Sequence, residues 1–391
     1  MRICHIWQNF MPIEFGGVER YILSLSDFLS KQDQNLDFFM ITDKAAYVPF
    51  LRAIRTSGCQ RINSLEVHRL GPNLSSFLRS SSCKLLDRQS NLLDKMLITS
   101  LFREASNIKG MDKVDVFHVH GFWQPLYPTI GLHLSQHFHR PFVVTLHGDS
   151  VSPNDRFAMP IRDPATIDVL KRADVITTYS KETLNVLREF NLGKTSQLIP
   201  NFVNTRLFKR PTSNENSSGD RIVMVSRFSK PKDPMTPIRA FAEVIKEVPE
   251  ATFKIVGYGP LYEYANSLVQ DLNLEGAIKM VGMTSDVRKY LWNSDISIGT
   301  RGSYITTLEA WAAGLPVIAP EFGIMKEIIS NGENGLLVPP GNAHQLASAI
   351  INLIRNKDLR AMMVANGLQA VKKHDIQNVS SSIADIYASL L

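Results

Sequence analysis

Two basic residues, five positions apart, follow a short apolar run in the second half of the chain. The run is RIVMVS, and Arg227 and Lys232 come next in SRFSKPKD. A guanidinium and an ammonium just beyond a strand suit a diphosphate, because cation-to-phosphate hydrogen bonds are charge-assisted and contribute about 1.5–3 kcal/mol each. Lys230 lies between them, so a set of ordinary surface cations is the alternative. The spacing indicates a site for a phosphorylated ligand.

Glycines follow other apolar runs at positions where backbone N–H groups can approach an anion. In QNFMPIEFGGVER, Gly16 and Gly17 open a predicted helix, and N–H groups at a helix start bind anions. In FKIVGYGP, Gly257 and Gly259 come directly after an apolar run. A plain turn explains each loop as well, so each is weak support when taken alone.

Short apolar runs alternate with amphipathic segments along the chain, and these candidate residues follow such runs. In residues 18–32, the apolar positions 18, 21, 22, 25, 28 and 29 share one helical face. Most other runs are apolar throughout, which is typical of parallel strands covered by helices on both faces. The predicted strands are 2–7, 36–42, 114–120, 141–146, 173–179, 222–225, 253–256, 278–281, 295–299, 316–319 and 336–338.

A break in this pattern after Ile199 predicts two domains. The segment PNFVNTRLFKRPTSNENSSGD is rich in Pro, Asn and Ser, which is typical of a linker. Each half is then a doubly wound α/β unit, and ligands bind such units at the carboxyl ends of the strands. We expect a crevice for the ligand between the domains, and a terminal helix along the apolar stripe from Ile376 to Leu390.

Several ordered motifs carry a resemblance to a known family. The segments GGVERY, VVTLHG, VSRFSKPKD, IVGYGP, TTLEAWAAGLPVIAP and KEIISNGENGLLVPPGN resemble the nucleotide-sugar glycosyltransferases of the GT-B fold, in particular the retaining family 4, or group 1. The match runs from residue 3 to about residue 370. It implies two Rossmann-like domains facing across a cleft: 1–200 for the acceptor and 201–373 for the nucleotide sugar. Residues 374–391 would form a helix that crosses back to the first domain.

The resemblance implies roles for three residues in the reaction. Arg227 and Lys232 would hold the donor diphosphate and stabilise the leaving group. His147, in VVTLHG, occupies the position of a family histidine that lies beside the transferred sugar. A structural, hydrogen-bonded histidine is the alternative, and the sequence assigns no catalytic base.

The resemblance also implies residues that bind the donor and the acceptor. Glu309 matches the second acid of the family's E-x7-E signature and would hold the ribose hydroxyls, while the backbone at Met283 would read the base. The remaining donor-side residues are Gly16, Gly17, Gly257, Arg301, Gly302, Tyr304, Ile305 and Thr306, and the acceptor-side residues are Arg20, His120 and Trp123.

Arg301 departs from the family pattern. The first acid of the signature stands eight positions before Glu309, and here that position is arginine. Because the family carboxylate contacts the donor sugar, the reversed charge leaves three readings: an anionic sugar paired to Arg301, a neutral sugar held by other groups, or a degenerate site.

The sequence predicts a reaction that requires neither a metal nor a cofactor. No Asp-x-Asp motif is present to hold a divalent cation. The leaving diphosphate must then be neutralised by Arg227, Lys232 and helix N-terminal amides. The expected function is a retaining transfer of a hexose-type sugar from a UDP or GDP sugar to a saccharide, lipid-linked or small-molecule acceptor. A sugar-nucleotide epimerase and a noncatalytic nucleotide-sugar-binding subunit are the alternatives.

The net charge of +6 is concentrated in one stretch. Residues 51–110 hold ten Lys and Arg against four Asp and Glu, which accounts for the whole surplus. This stretch favours peripheral contact with an anionic membrane surface, and a solvated basic surface is the alternative. Nucleic acid is not expected, because the stretch lacks a reading motif. The sequence shows no apolar run of about 18 residues and no secretory leader, so we expect a cytoplasmic protein.

Overall fold

The computed structural model describes residues 1–8, 16–43, 59–70, 90–121, 126–148, 161–211 and 219–391. The described chain forms two compact units. Unit 1 comprises Met1–Pro200 with Ser380–Leu391, and unit 2 comprises Asn201–Val379. Trp123 and residues 51–58 and 71–89 of the basic stretch 51–110 lie outside the described residues.

Unit 1 is built on one mixed sheet. Its strands run in the order β3-β4-β2-β1-β5-β6-β7-β8, all parallel to their neighbours except β3, which is antiparallel to β4. The bounds are β1 (Arg2–Ile6), β2 (Asp37–Asp43), β3 (Cys59–Ile62), β4 (Leu65–Leu70), β5 (Val116–His120), β6 (Phe142–Leu146), β7 (Val175–Thr178) and β8 (Ser196–Leu198).

Unit 2 is built on a wholly parallel sheet. The strand order is β11-β10-β9-β12-β13-β14, which is the order 3-2-1-4-5-6 of a doubly wound dinucleotide-binding fold. The bounds are β9 (Arg221–Val225), β10 (Thr252–Val256), β11 (Ile278–Gly282), β12 (Ile296–Ile298), β13 (Val317–Pro320) and β14 (Leu336–Val338).

Helices alternate with these strands along the described chain. In chain order they are α1 (Gly17–Gln32), α2 (Ser90–Ser106), α3 (Leu126–Phe138), α4 (Pro164–Lys171), α5 (Lys181–Glu189), α6 (Thr205–Phe208), α7 (Met235–Glu247), α8 (Tyr262–Asp271), α9 (Arg288–Trp292), α10 (Tyr304–Ala312), α11 (Met325–Ile328), α12 (Ala343–Arg355), α13 (Lys357–Val371) and α14 (Ile376–Ser389). Within these residues, no helix combines the length and apolar character needed to cross a membrane.

The predicted strands are confirmed to within about two residues at each end, and three further strands were missed. The central strands β5 and β6 are buried along their whole length, which explains their mostly apolar sequence. The missed strands have weaker signals: β3 is mostly exposed, β4 alternates between buried and half-buried residues, and β8 is a three-residue edge strand. Short edge strands bury too little apolar surface to produce a clear pattern.

The chain returns to unit 1 later than predicted from the sequence. Residues 374–379 belong to unit 2, and only Ser380–Leu391 belongs to unit 1. Two contacts account for this: His374 Nδ1 lies 3.0 Å from the carbonyl oxygen of Asn201, and Asp375 forms a parallel bridge with Val203. The start of α14 is therefore anchored in unit 2.

Candidate functional site

In unit 2, polar residues gather where the strand order reverses. The reversal lies between β9 and β12, and the outer carboxyl ends of such strands are where doubly wound sheets bind ligands. Ser226 and Arg227 follow β9, while Thr300 and Arg301 follow β12. The hydroxyls of Ser226 and Thr300 are hydrogen-bonded at 2.9 Å. The two loops therefore form one edge, which we call the unit 2 edge.

The side chains of Arg227, Lys232 and Arg301 bring three cationic groups to this edge. Lys232 donates from Nζ to the carbonyl oxygens of Arg301 at 2.6 Å and Gly302 at 3.1 Å. Arg227 keeps an exposed side chain, and partial desolvation lowers the pKa of its guanidinium. Arginine stays protonated in proteins despite such a shift. The edge therefore presents positive charge.

Close backbone packing explains the glycines at this edge. Gly257 has φ 138° and Gly259 has φ 158°, in the region that favours glycine. A Cβ at Gly257 would clash with the carbonyl oxygen of Ser226, and one at Gly259 would clash with that of Phe228. The loop after β10 can therefore lie directly against the loop after β9.

The segment from Arg301 to Thr306 opens α10 at the same edge. The Arg301 guanidinium stacks over the Phe322 ring, 4.2 Å from its centroid. Tyr304 is buried, with its hydroxyl 3.4 Å from His374 Nδ1, so a ligand would meet its backbone rather than its side chain. Ile305 and Thr306 complete this first turn of α10, whose N-terminus carries partial positive charge.

Two further donor-side residues differ in exposure. Glu309 follows on α10 and is buried, with 3% of its surface exposed. Met283 comes directly after β11 with a side chain that is 76% exposed. This exposure fits an expected role for the Met283 backbone rather than for its side chain.

In unit 1 the corresponding edge carries histidines. The strand order reverses between β1 and β5, where His5 is in register with His118. His5 Nδ1 lies 2.9 Å from His120 Nε2, and His120 Nδ1 lies 3.1 Å from Nε2 of His147, which follows β6. We call His5, His120 and His147 the histidine row.

A second set of hydrogen bonds flanks the histidine row. His118 Nδ1 lies 2.6 Å from the Tyr387 hydroxyl of α14, and His118 Nε2 lies 2.6 Å from the Thr145 hydroxyl. Thr145 in turn contacts the Thr177 hydroxyl at 2.6 Å. The last part of α14 is thus joined to the sheet of unit 1 by a buried polar contact.

Burial keeps these histidines neutral. Desolvation lowers the pKa of His5 and of His147 to about 3, and lowers the pKa of His118 and of His120 well below the ordinary value. Neighbouring imidazoles further lower the values for His118 and His120. The histidines of this edge, which we call the unit 1 edge, are therefore uncharged at neutral pH.

The nitrogens of His5, His118 and His120 lie within 4.8 Å of one another, as in a metal site. The separation of 2.9 Å between His5 and His120 is shorter than the roughly 3.3 Å between two nitrogens on one tetrahedral zinc ion. Both nitrogens of His118 already contact hydroxyls. The geometry is that of a hydrogen-bonded cluster.

A buried carboxylate organises the glycine loop of unit 1. Glu19 accepts hydrogen bonds from Trp7 Nε1 and from the backbone N–H of Gly16, both at 2.7 Å. Gly16 therefore gives its N–H to Glu19 rather than to a ligand. Gly17 starts α1, and Arg20 lies half-buried in its first turn. Glu19 was not predicted from the sequence, although a glutamate three residues after a helix cap is a known capping signal.

Two family models match this chain. The model described as Glycosyltransferase Family 4 matches residues 15–207, and the one described as Glycosyl transferases group 1 matches residues 205–370. The chain belongs to the family-4 glycosyltransferases. It is an enzyme that transfers a sugar from a nucleotide sugar, as the motifs predicted.

Relatives of this glycosyltransferase act on different acceptors. It is 25% identical to N-acetyl-alpha-D-glucosaminyl L-malate synthase of Bacillus anthracis, over 75% of this chain and 79% of that one. It is 30% identical to phosphatidyl-myo-inositol mannosyltransferase of Mycobacterium leprae, over 51% of this chain and 55% of that one.

Solved structures share the fold of this glycosyltransferase. Anabaena HepE in complex with UDP and glucose aligns with a TM-score of 0.73 at 20% identity, over 100% of both chains. Sucrose-phosphate synthase from Thermosynechococcus elongatus aligns with a TM-score of 0.75 at 20% identity, over 100% of this chain and 98% of that one. The predicted GT-B fold is confirmed.

The structure brings the predicted site residues together in two groups. Arg227, Lys232, Gly257 and the segment 301–306 meet at the unit 2 edge, while His120 and His147 are bonded at the unit 1 edge. Their roles remain predictions. The histidine row itself was missed, because nothing in the sequence links His5 to a partner 115 positions away.

Proposed function

We propose that this glycosyltransferase is a retaining hexosyltransferase whose unit 2 edge binds the nucleoside diphosphate of the donor. The observation that carries the proposal is the placement of Lys232, whose ammonium is held at the carbonyls of Arg301 and Gly302 beside the start of α10. A phosphate at this helix start would meet the ammonium, the Arg227 guanidinium and backbone N–H groups together.

This arrangement suits departure of a diphosphate. As the bond between the sugar C1 and the phosphate oxygen breaks, negative charge grows on that oxygen. Fixed cations and a helix N-terminus stabilise such charge without reorganising. The acceptor hydroxyl forms the new bond to C1 on the same face, and its proton passes to the departing phosphate oxygen. The cations at the unit 2 edge would stabilise this negative charge, as a metal ion does in other enzymes. We therefore propose that no metal is required.

We propose UDP or GDP as the nucleotide and a neutral hexose as the sugar. HepE was solved with UDP and glucose, and the M. leprae relative is named a mannosyltransferase, which supports this range. We propose that unit 1 binds a saccharide, lipid-linked or small-molecule acceptor, in line with the different acceptors in the names of the relatives. Contact of residues 51–110 with an anionic membrane would serve a lipid-linked acceptor.

The test is acceptor-dependent turnover without added metal. UDP- and GDP-hexoses would be supplied with and without a panel of acceptors, and both released diphosphate and the donor sugar would be analysed. Transfer with retained anomeric configuration supports the proposal. Isomerised donor without acceptor would instead establish an epimerase. Donor binding with no turnover over the whole panel would establish a noncatalytic subunit.

A further inference from the structure

We propose that the histidine row holds His147 in the tautomer that carries its proton on Nδ1, so that His147 donates a hydrogen bond to the substrate and does not act as a base. His120 is then a positioning residue, and His5 is the buried end of the row. The inference rests on the proposed function for its substrate, a nucleotide sugar, but its geometry belongs to unit 1 alone.

The row contains two hydrogen bonds and three rings. His5 Nδ1 contacts His120 Nε2 at 2.9 Å, and His120 Nδ1 contacts His147 Nε2 at 3.1 Å. Each contact needs one protonated and one unprotonated nitrogen. A neutral imidazole carries one proton, and burial keeps all three rings neutral by lowering each pKa. It follows that His5 Nε2 and His147 Nδ1 have opposite states: one carries a proton and the other does not.

The surroundings of His5 decide between the two arrangements. His5 Nε2 is buried and has no hydrogen-bond partner among the described residues. The ring is stacked on Phe38, with 5.5 Å between centroids and 5° between planes, which limits its rotation. A buried N–H without an acceptor is rarer in proteins than an acceptor without a donor. The favoured arrangement therefore leaves Nε2 of His5 unprotonated and places the proton on Nδ1.

The position of the proton on His5 determines the tautomers of His120 and His147. His5 donates to His120, His120 donates to His147, and His147 keeps its own proton on Nδ1. That nitrogen has no hydrogen-bond partner within the part of the chain that the structure describes, and 8% of the residue surface is exposed. It is available to a sugar hydroxyl. To act as a base at Nδ1, His147 would require the whole row to reverse, with an N–H buried at His5.

The direct test is the protonation state of each nitrogen in the wild-type protein. Imidazole 15N chemical shifts distinguish protonated from unprotonated nitrogens, and His147→Gln and His120→Phe spectra assign the signals by their loss. We expect Nδ1 to be protonated in His5, His120 and His147 between pH 6 and 8. A proton on Nε2 of His147, or a mixture of its tautomers, would overturn the proposal.

Matched variants separate positioning from packing. His120→Phe removes the donor to His147, whereas His118→Phe removes an equally buried histidine of the same strand whose partners are Tyr387 and Thr145. We expect a mixed His147 tautomer and about 3- to 10-fold lower kcat/KM only in His120→Phe. A change of the His147 tautomer in both variants, or in neither, would contradict the proposal that the histidine row fixes this tautomer. If wild-type protein transfers no sugar, the proposed function fails while the 15N result still decides this inference.

Discussion

The two edges occupy the same topological position and differ in chemistry. Both lie where the strand order reverses, at the carboxyl ends of β1 and β5 in unit 1 and after β9 and β12 in unit 2. The unit 1 edge holds buried, neutral imidazoles and hydroxyls, while the unit 2 edge holds Arg227, Lys232 and Arg301. The fold supplies the location twice, and the residues at these strand ends determine which part of a substrate each edge suits.

The charge of each edge indicates which part of the substrate it would bind. A diphosphate needs fixed positive charge, which the unit 2 edge offers, whereas sugar hydroxyls need neutral donors and acceptors such as those of His147. If this division is right, acid, charge removal and backbone crowding should each affect one edge much more than the other.

The largest expected effect is acid destabilisation of unit 1. Four buried histidines there have a lowered pKa, whereas unit 2 has His374, whose pKa burial lowers to about 4. The unfolded chain binds protons below its histidine pKa of about 6.5 and the native chain does not, so stability falls as pH drops below that value. His5 and His147, whose pKa is lowered to about 3, should each remove about 2 kcal/mol between pH 7 and pH 5.

Hydrogen exchange at pH 7 and pH 5 measures this difference by region. Amides of β5 and β6 should lose protection at pH 5 before those of β9 and β10 do. Equal loss of amide protection in both sheets, or earlier loss in unit 2, would contradict the proposed difference between the two edges.

Removal of the Lys232 ammonium should have the largest effect on turnover. We expect Lys232→Ala to lower kcat/KM by about 30- to 1,000-fold, which corresponds to roughly 2–4 kcal/mol of transition-state stabilisation. Lys230→Ala is the matched control, because Lys230 is an exposed lysine two positions away. It should cost less than threefold. A loss below threefold for Lys232→Ala in a normally folded protein would refute the diphosphate assignment.

Crowding the glycine loop should damage unit 2 specifically. Gly257→Ala introduces a Cβ that clashes with the Ser226 carbonyl and forces alanine to adopt φ 138°. We expect a loss of about 2–3 kcal/mol in the free energy of unfolding, measured in urea. Gly276→Ala serves as control, since a Cβ there meets nothing within 4 Å. Similar losses in the two variants would show that the close approach at Gly257 is unimportant.

The smallest effect is expected at Arg301. Its guanidinium stacks on Phe322, and we propose that the donor sugar is neutral, so Arg301→Ala should change kcat/KM for a neutral hexose donor by less than threefold. Parallel kinetics with the corresponding uronic donor complete the test. A loss above tenfold that is confined to the uronic donor would show instead that Arg301 pairs with an acidic sugar.

The sequence predicted much of unit 2 and less of unit 1, for physical reasons. Strands β9 to β14 are mostly buried or half-buried runs, and the cations at 227 and 232 lie close to them in sequence, so local patterns were sufficient. The unit 1 edge depends on contacts between distant residues. His118 and Tyr387 are 269 positions apart, and the row joins β1, β5 and the end of β6 through sheet register. Such pairs leave no local signal.

The central claim is that the unit 2 edge, and not the unit 1 edge, binds the nucleoside diphosphate. Calorimetric titration with UDP, GDP, ADP and TDP, without added metal, tests it in wild type, Lys232→Ala and His120→Phe. We predict selective binding of UDP or GDP, weakened at least tenfold by Lys232→Ala and unchanged by His120→Phe. Binding of none of them to wild type, or equal weakening by the two variants, would contradict the account.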